Sequence, residues 1–223
     1  MGAHDGHRER LRNRYLKSGF DRMSDEQVLE LLLFYALPRC DTAAIAKRLL
    51  DAFGSLSNVL SASIESLIAV EGIGEKAALL LSMISPLTQR ILLEPSKPGM
   101  VLDSLQQCAT FLIPYFLGSK TEKVYLLCLD AKCMVLSCHM LEEGSTNSTN
   151  FSIRKAVQCA LNNHATSVVL SHNHPCGILD VSIADMETTR QFKEALAAVD
   201  IYLADHIVVS GSSYFSMAEH NMI

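Results

Sequence analysis

The residues best suited to chemistry lie in one stretch, Ser171-His172-Asn173-His174-Pro175-Cys176-Gly177, with Ser182 and Asp185 close behind it. An apolar run, Thr166-Ser167-Val168-Val169-Leu170, leads into the stretch and reads as a buried strand. Residues i and i+2 of a strand share a face, so His172 and His174 project side by side. Two imidazoles so placed, together with the Asp185 carboxylate, are sufficient protein ligands for a catalytic zinc ion and leave a position for water. Zinc brings the pKa of water toward neutrality. A carboxylate outside the ligand set can then take the water proton, and a hydroxyl near the metal can support a developing oxyanion. Ser182 fits that last role by position. Simpler readings exist for the parts. Ser182 with Asp185 also makes a helix start, a hydroxyl cap with an acid in the first turn. A His-x-His pair can be two hydrogen-bonded core histidines. The metal reading is preferred because all these positions converge on one strand–loop–helix.

The elements that must hold this stretch follow from the change of period along the chain. Residues 94–100, Glu-Pro-Ser-Lys-Pro-Gly-Met, stop one helix and cannot start a strand. A helical domain over residues 1–94, a linker over 95–100 and a second domain over 101–223 are therefore expected. In the second domain a helix over 104–117 comes first. Val124–Leu129 and Cys133–Leu141 form a hairpin about Asp130-Ala131-Lys132, and Ser152–Asn162 has helical spacing. The strand 166–171, a helix from Ser182 to Val199, the strand 201–209 and a short strand at 214–217 complete a mixed sheet with helices against it. The fold class is α+β overall, a small all-α domain followed by an α/β domain. Asp205 and His206 are adjacent on a strand and point oppositely, so His206 either orients a metal ligand or is simply buried.

In the first domain, Ser24 caps a helix that Pro38 ends, and Asp41 caps a second that ends near Gly54. Two short helices follow. Gly72-Ile73-Gly74 then joins two helices in a tight hairpin, with Lys76 at the start of the second. Glycines allow positive φ, and the amides of a helix start can hold a phosphate. Gly72, Gly74 and Lys76 are thus candidate contacts to a DNA backbone, and an ordinary packing unit is the alternative. Charge favours the alternative, because residues 1–94 hold 11 Lys and Arg against 12 Asp and Glu and the hairpin is flanked by Glu71 and Glu75. The basic run from His7 to Arg22 reads first as a solvated helix and second as a phosphate-binding arm.

With 223 residues, 49% of them apolar, and a net charge of −5, the chain can build a sizeable core. No apolar run is long enough to span a membrane, and the polar start carries no signal-peptide region. The seven cysteines are odd in number, scattered and without a CxxC pair. A reduced, cytoplasmic setting is expected.

His172-Asn173-His174-Pro175-x-Gly177 with Ser182 and Asp185 resembles the JAMM signature of MPN-type zinc metalloproteases, and more closely the RadC family. Glu143-Gly144-Ser145, Ser152-Ile153-Arg154-Lys155 and Ala204-Asp205-His206-Ile207-Val208-Val209 are similar to RadC segments in the same order. The resemblance covers nearly the whole chain, including an amino-terminal helix-hairpin-helix domain. It implies a cytidine-deaminase-like MPN/JAMM domain and a hydrolase acting on amide or isopeptide bonds of a protein or peptide. His172, His174 and Asp185 would be the zinc ligands, and Ser182 the oxyanion-supporting hydroxyl. The acid/base would come from the end of the second strand, with Glu143 first and Glu142 second, since neighbouring strand residues face opposite sides. The alternative is a DNA-associated accessory protein of repair or recombination whose zinc domain is structural. Two departures stand out: Cys176 where the family usually has Ser, and Val181 where it usually has Pro. Cys176 reads as a bystander, because the ligand set is complete without it.

Overall fold

A computed structural model describes residues 3–38, 40–94, 99–145 and 151–223. The chain forms two compact units, Met1–Thr88 and Gln89–Ile223. The expected linker falls largely on residues 95–98, which lie outside the described residues.

The first unit is helical: α1 (Ala3–Ser18), α2 (Asp25–Ala36), α3 (Thr42–Phe53), α4 (Leu56–Leu60), α5 (Ile64–Ile68) and the start of α6 (Glu75–Leu93). Each boundary has a chemical cause. Ser24 and Gln27 exchange side-chain-to-backbone bonds in a capping box before α2. The Asp41 carboxylate accepts from Ala43 N and Ala44 N at the head of α3, and Gly54 ends that helix in the left-handed region. Leu29, Leu33, Ile45, Leu49, Val59, Leu67 and Leu81 form the core. The basic run from His7 is a helix held to α2 by buried Leu11, which packs with Leu31 and Phe34. Arg8 is spent on structure, donating to the carbonyls of Leu37, Pro38 and Cys40.

The second unit opens with α7 (Leu105–Leu112), which tightens into a 3-10 turn over Ile113–Phe116. Then come β1 (Glu122–Leu129), β2 (Val135–Ser145), α8 (Ile153–Asn162), β3 (Ser167–Asn173), α9 (Ile183–Ala197), β4 (Tyr202–Ser210) and β5 (Ser213–Ser216). Among the described residues these strands form one sheet, in the order β2-β1-β3-β4-β5. Only β3 and β4 run parallel, so only they need the α9 crossover between them. One face carries Val124, Leu126, Cys128, Val168 and Leu170 against Ala156, Ala160, Phe192 and Leu196 of α8 and α9. The other carries Leu127, Leu129, Val169 and Ile207 against Phe111 and Leu112 of α7. Burial of β3 on both faces explains its unbroken apolar run.

The β1–β2 register shifts at three places, and each time the extra residue is on β2: Leu136, Leu141 and Gly144. Gly144 takes φ of 91°, the conformation such a bulge favours in glycine. β1 itself stays regular, so Glu122 shares the face of Val124, Leu126 and Cys128. Among the described residues, no helix is long and apolar enough to cross a membrane.

Candidate metal centre

The centre lies where β3 ends and α9 begins. His172 sits opposite Val124 in the antiparallel β1–β3 ladder and therefore points to the α8/α9 face. His174, just past the end of β3, is fixed by its N–H to Val209 O at 2.8 Å. Asp185 stands in the first turn of α9 and is brought inward by the cap on that helix. His172, His174 and Asp185 each offer a ligand atom, and these atoms lie within 4.8 Å of one another. His172 Nε2 is 3.0 Å from His174 Nε2 and 3.6 Å from Asp185 Oδ1. His172 and Asp185 are each 1% exposed, while His174 is half-buried, so the cluster opens toward solvent on the His174 side.

The donor set fits a divalent ion of the zinc type. The other imidazole nitrogens are engaged outside the cluster: His174 Nδ1 meets Ile178 O at 2.8 Å, and His172 Nδ1 meets His206 Nε2 at 2.7 Å. The two Nε2 atoms are thereby turned toward each other and toward Asp185. Burial is the main cause that pulls the pKa of His172 down to about 4, aided by His174 and opposed by Asp185, so this imidazole is neutral at pH 7. Imidazole nitrogens and a carboxylate aimed at one small volume are the donors a catalytic zinc takes.

Ser182 is where the sequence places it, but its bonds are those of a cap. Its hydroxyl donates to Asp185 Oδ2 at 2.6 Å and accepts from Asp185 N at 3.1 Å, while its own N–H also donates to Oδ2 at 2.8 Å. Oδ2 is so held, and Oδ1 is the oxygen toward His172. The oxyanion role expected of Ser182 would require that proton to leave Oδ2, which the Ser182 N–H continues to hold.

The two acids expected from the end of the second strand take opposite faces of the sheet. Glu143 lies on the far face of the sheet, opposite Lys123, and its Oε1 is 3.1 Å from Lys123 Nζ. Burial above all, then Cys138 and last the Glu143 charge raise the pKa of Tyr125, a residue of the α7 side. The bulges at Gly144 and Leu141 produce this placement. Glu142 lies opposite Val124 and so is on the face of His172, but on the edge strand, with β1 between it and β3. Glu122 is a carboxylate that the sequence reading did not name. It belongs to β1, on the same face, and continuing the β1–β3 count two residues beyond Val124↔His172 sets it beside His174. One of its carboxylate oxygens, Oε2, is buried. Asn173, between the two histidines, brackets it: Oδ1 accepts from Lys123 N at 2.8 Å and Nδ2 donates to Thr121 O at 3.2 Å. The signal was available in the alternation Glu122-x-Val124-x-Leu126-x-Cys128, which extends the strand upstream of its apolar run.

His206 takes the orienting position against His172, and Asp205 points the other way, into bonds with Ser216 Oγ and Ala218 N. Cys176 is exposed and outside the ligand cluster. Gly72, Gly74 and Lys76 belong to the helical unit, at the turn into α6.

A family model described as a RadC-like JAB domain matches residues 102–222, and one described as UPF0758 N-terminal matches residues 6–79. A UPF0758 protein of Fusobacterium nucleatum is 31% identical, over 98% of this chain and 97% of its own. UPF0758 proteins of a Janthinobacterium species and of Vibrio cholerae are each 34% identical over 95% of both chains. A mixed sheet with a His-His-Asp cluster after a helical unit, matched along almost its whole length, belongs to the RadC family: this chain is one of its members, a JAB/MPN domain behind a UPF0758 N-terminal domain.

Proposed function

We propose that the chain is a zinc-dependent hydrolase of the JAMM type, cleaving an amide or isopeptide bond in a protein or peptide, with Glu122 as its acid/base. The observation that carries the reading is the convergence of His172, His174 and Asp185 ligand atoms within 4.8 Å, on the sheet face that Glu122 shares. Zinc held by these three residues would supply Lewis acidity and bring the pKa of water toward neutrality. The remaining work belongs to side chains. Glu122 takes the proton of the attacking water and returns it to the leaving amine nitrogen, one carboxylate serving both steps. Asn173 holds the backbone on both sides of Glu122 and so fixes its reach. Ser182 keeps Asp185 in one orientation, and its hydroxyl would serve an oxyanion only by releasing Asp185 Oδ2.

The test pairs metal analysis of the purified chain with mass-spectrometric cleavage of a library of peptides, α-linked and lysine-ε-linked. About one zinc per chain is expected. Glu122→Gln should retain the zinc and lose hydrolysis by about 10²- to 10⁴-fold, while Glu143→Gln should cleave as the parent does. A chain without zinc, whose metal content and stability His172→Ala leaves unchanged, would sink the reading.

A further inference from the structure

We infer that Thr189 and His206 are positioning residues that preset His172 in its metal-ready tautomer, through a hydrogen-bond circuit that starts and ends on the ligand set. The inference rests on the metal reading above for its purpose, but its geometry stands independently. Thr189, on α9 one turn after Asp185, is fully buried, and His206 on β4 is 2% exposed. Thr189 Oγ1 lies 2.6 Å from Asp185 O and 2.5 Å from His206 Nδ1. His206 Nε2 lies 2.7 Å from His172 Nδ1. The contacts therefore run Asp185 O, Thr189, His206, His172, and from His172 Nε2 back to Asp185 Oδ1 at 3.6 Å.

The direction of the protons follows from what each atom can do. A backbone carbonyl only accepts. Two oxygens 2.6 Å apart with no proton between them would repel, so the Thr189 hydroxyl proton lies toward Asp185 O. Thr189 Oγ1 must then accept, and the only partner able to donate to it at 2.5 Å is His206 Nδ1–H. A neutral His206 protonated at Nδ1 carries its lone pair at Nε2, and that atom accepts from His172 Nδ1–H. His172 Nε2 is left as a lone pair facing the cluster. On the other side, His174 Nδ1–H donates to Ile178 O, which leaves a second lone pair at His174 Nε2, 3.0 Å from the first, and the repulsion of the two is what a cation between them relieves. The opposite direction would leave Thr189 Oγ1 and Asp185 O as two facing acceptors, and would put a proton on His172 Nε2 where a metal ligand needs none. Asp205 supports the circuit from the backbone by accepting from His206 N at 2.7 Å.

Two measurements test this. The first is long-range ¹H–¹⁵N correlation of the histidine rings at neutral pH in the metal-free and zinc-loaded chain. His206 is expected to carry its proton on Nδ1 in both. A proton on His206 Nε2 in the metal-free chain would overturn the inference, whether or not the chain binds zinc. The second is zinc affinity by competition with a chromogenic chelator. Thr189→Val removes the hydroxyl at nearly constant volume and should weaken zinc about 10- to 100-fold, with Thr189→Ser within about 3-fold of the parent. Equal affinity of Thr189→Val and the parent would overturn the positioning role while leaving the metal site intact. Absence of zinc from the parent would instead count against the proposed function. Where Thr189→Val does not fold, the ring spectra of the parent chain decide alone.

Discussion

Two stretches of this chain invite a ligand, the His-x-His strand end and the Gly72-Ile73-Gly74 hairpin, and their surroundings differ. At the hairpin Gly72, Ile73 and Arg48 are explained by packing and backbone bonds. Gly72 has φ of 93°, and a Cβ there would stand 3.0 Å from Ile45 Cδ1 and Cγ1. Ile73 is buried in the helical core, and Arg48 Nε donates to Glu71 O. At the strand end packing explains little. His172, Asp185, Thr189 and His206 are buried where apolar side chains would cost less, and buried polar groups must be compensated by bonds or ions. Most of that compensation is internal, and what remains is directed to one point between His172, His174 and Asp185. The contrast separates a motif whose residues hold the chain together from one whose residues are held in readiness.

The largest expected effect breaks the comparison at the metal side. His172→Ala and Asp185→Asn should each lower zinc affinity by more than about 100-fold, beyond the loss typical of an outer partner. Gly74→Ser should leave metal content unchanged. Chelator competition on the three variants checks this. Equal losses in all three would mean that zinc is taken up by the unfolded or partly folded chain rather than by the cluster.

The fold was legible where one rule dominated. Ser24, Asp41, Ser152 and Ser182 cap helices as their side chains require, and the β3 run reads as a buried strand. The His-His-Asp group was legible for the same reason, since a strand period of two and a helix cap place His172, His174 and Asp185 without long-range knowledge. The candidate acid/base was not. The faces of Glu142 and Glu143 depend on bulges at Leu141 and Gly144, and one inserted residue exchanges the faces of every neighbour after it. Glu143 rested on the resemblance and its place before Gly144, whereas β1, with no bulge, carries Glu122 on the face of His172. Thr189 escaped attention because nothing in its neighbours distinguishes it from a helix-core threonine; its role appears only when β4 brings His206 to 2.5 Å.

A middle-sized effect tests the hairpin. Gly72→Ala combines a left-handed φ with a 3.0 Å approach to Ile45, and should destabilise the helical unit by about 1–3 kcal/mol. A Cβ at Gly74 meets nothing within 4 Å, and its carbonyl starts α6, so Gly74→Ser should be neutral or slightly stabilising as a cap. Denaturant unfolding of the two variants checks the pair. With Glu71 and Glu75 beside it, Lys76→Ala should leave any low-salt duplex association within about 2-fold. A drop of about 0.9 in the salt slope would instead give Lys76 a phosphate contact.

The smallest effect concerns the thiols, and it sharpens the contrast between a residue near the centre and one engaged in it. All seven cysteines are free thiols, and Cys40 and Cys176 are exposed. Burial raises Cys108 to about 11 and Cys128 and Cys138 to about 12, so these three stay protonated and slow toward alkylating agents at neutral pH. Mass spectrometry after brief treatment with iodoacetamide should find Cys40 and Cys176 modified first. Zinc should not protect Cys176, since it lies outside the ligand cluster; protection would make it a ligand. The same shifts fix a pH dependence. A thiol whose pKa is raised by folding stays protonated in the native chain while the unfolded chain ionises near 9.0. Above that value the unfolded state binds fewer protons than the native one, so stability falls as pH rises toward 12 and is fully present below 9. Denaturation midpoints measured from pH 8 to 10.5 should decline, and Cys138→Val should decline less steeply than the parent. An unchanged slope would show that the thiolate is accommodated where burial is expected to exclude it.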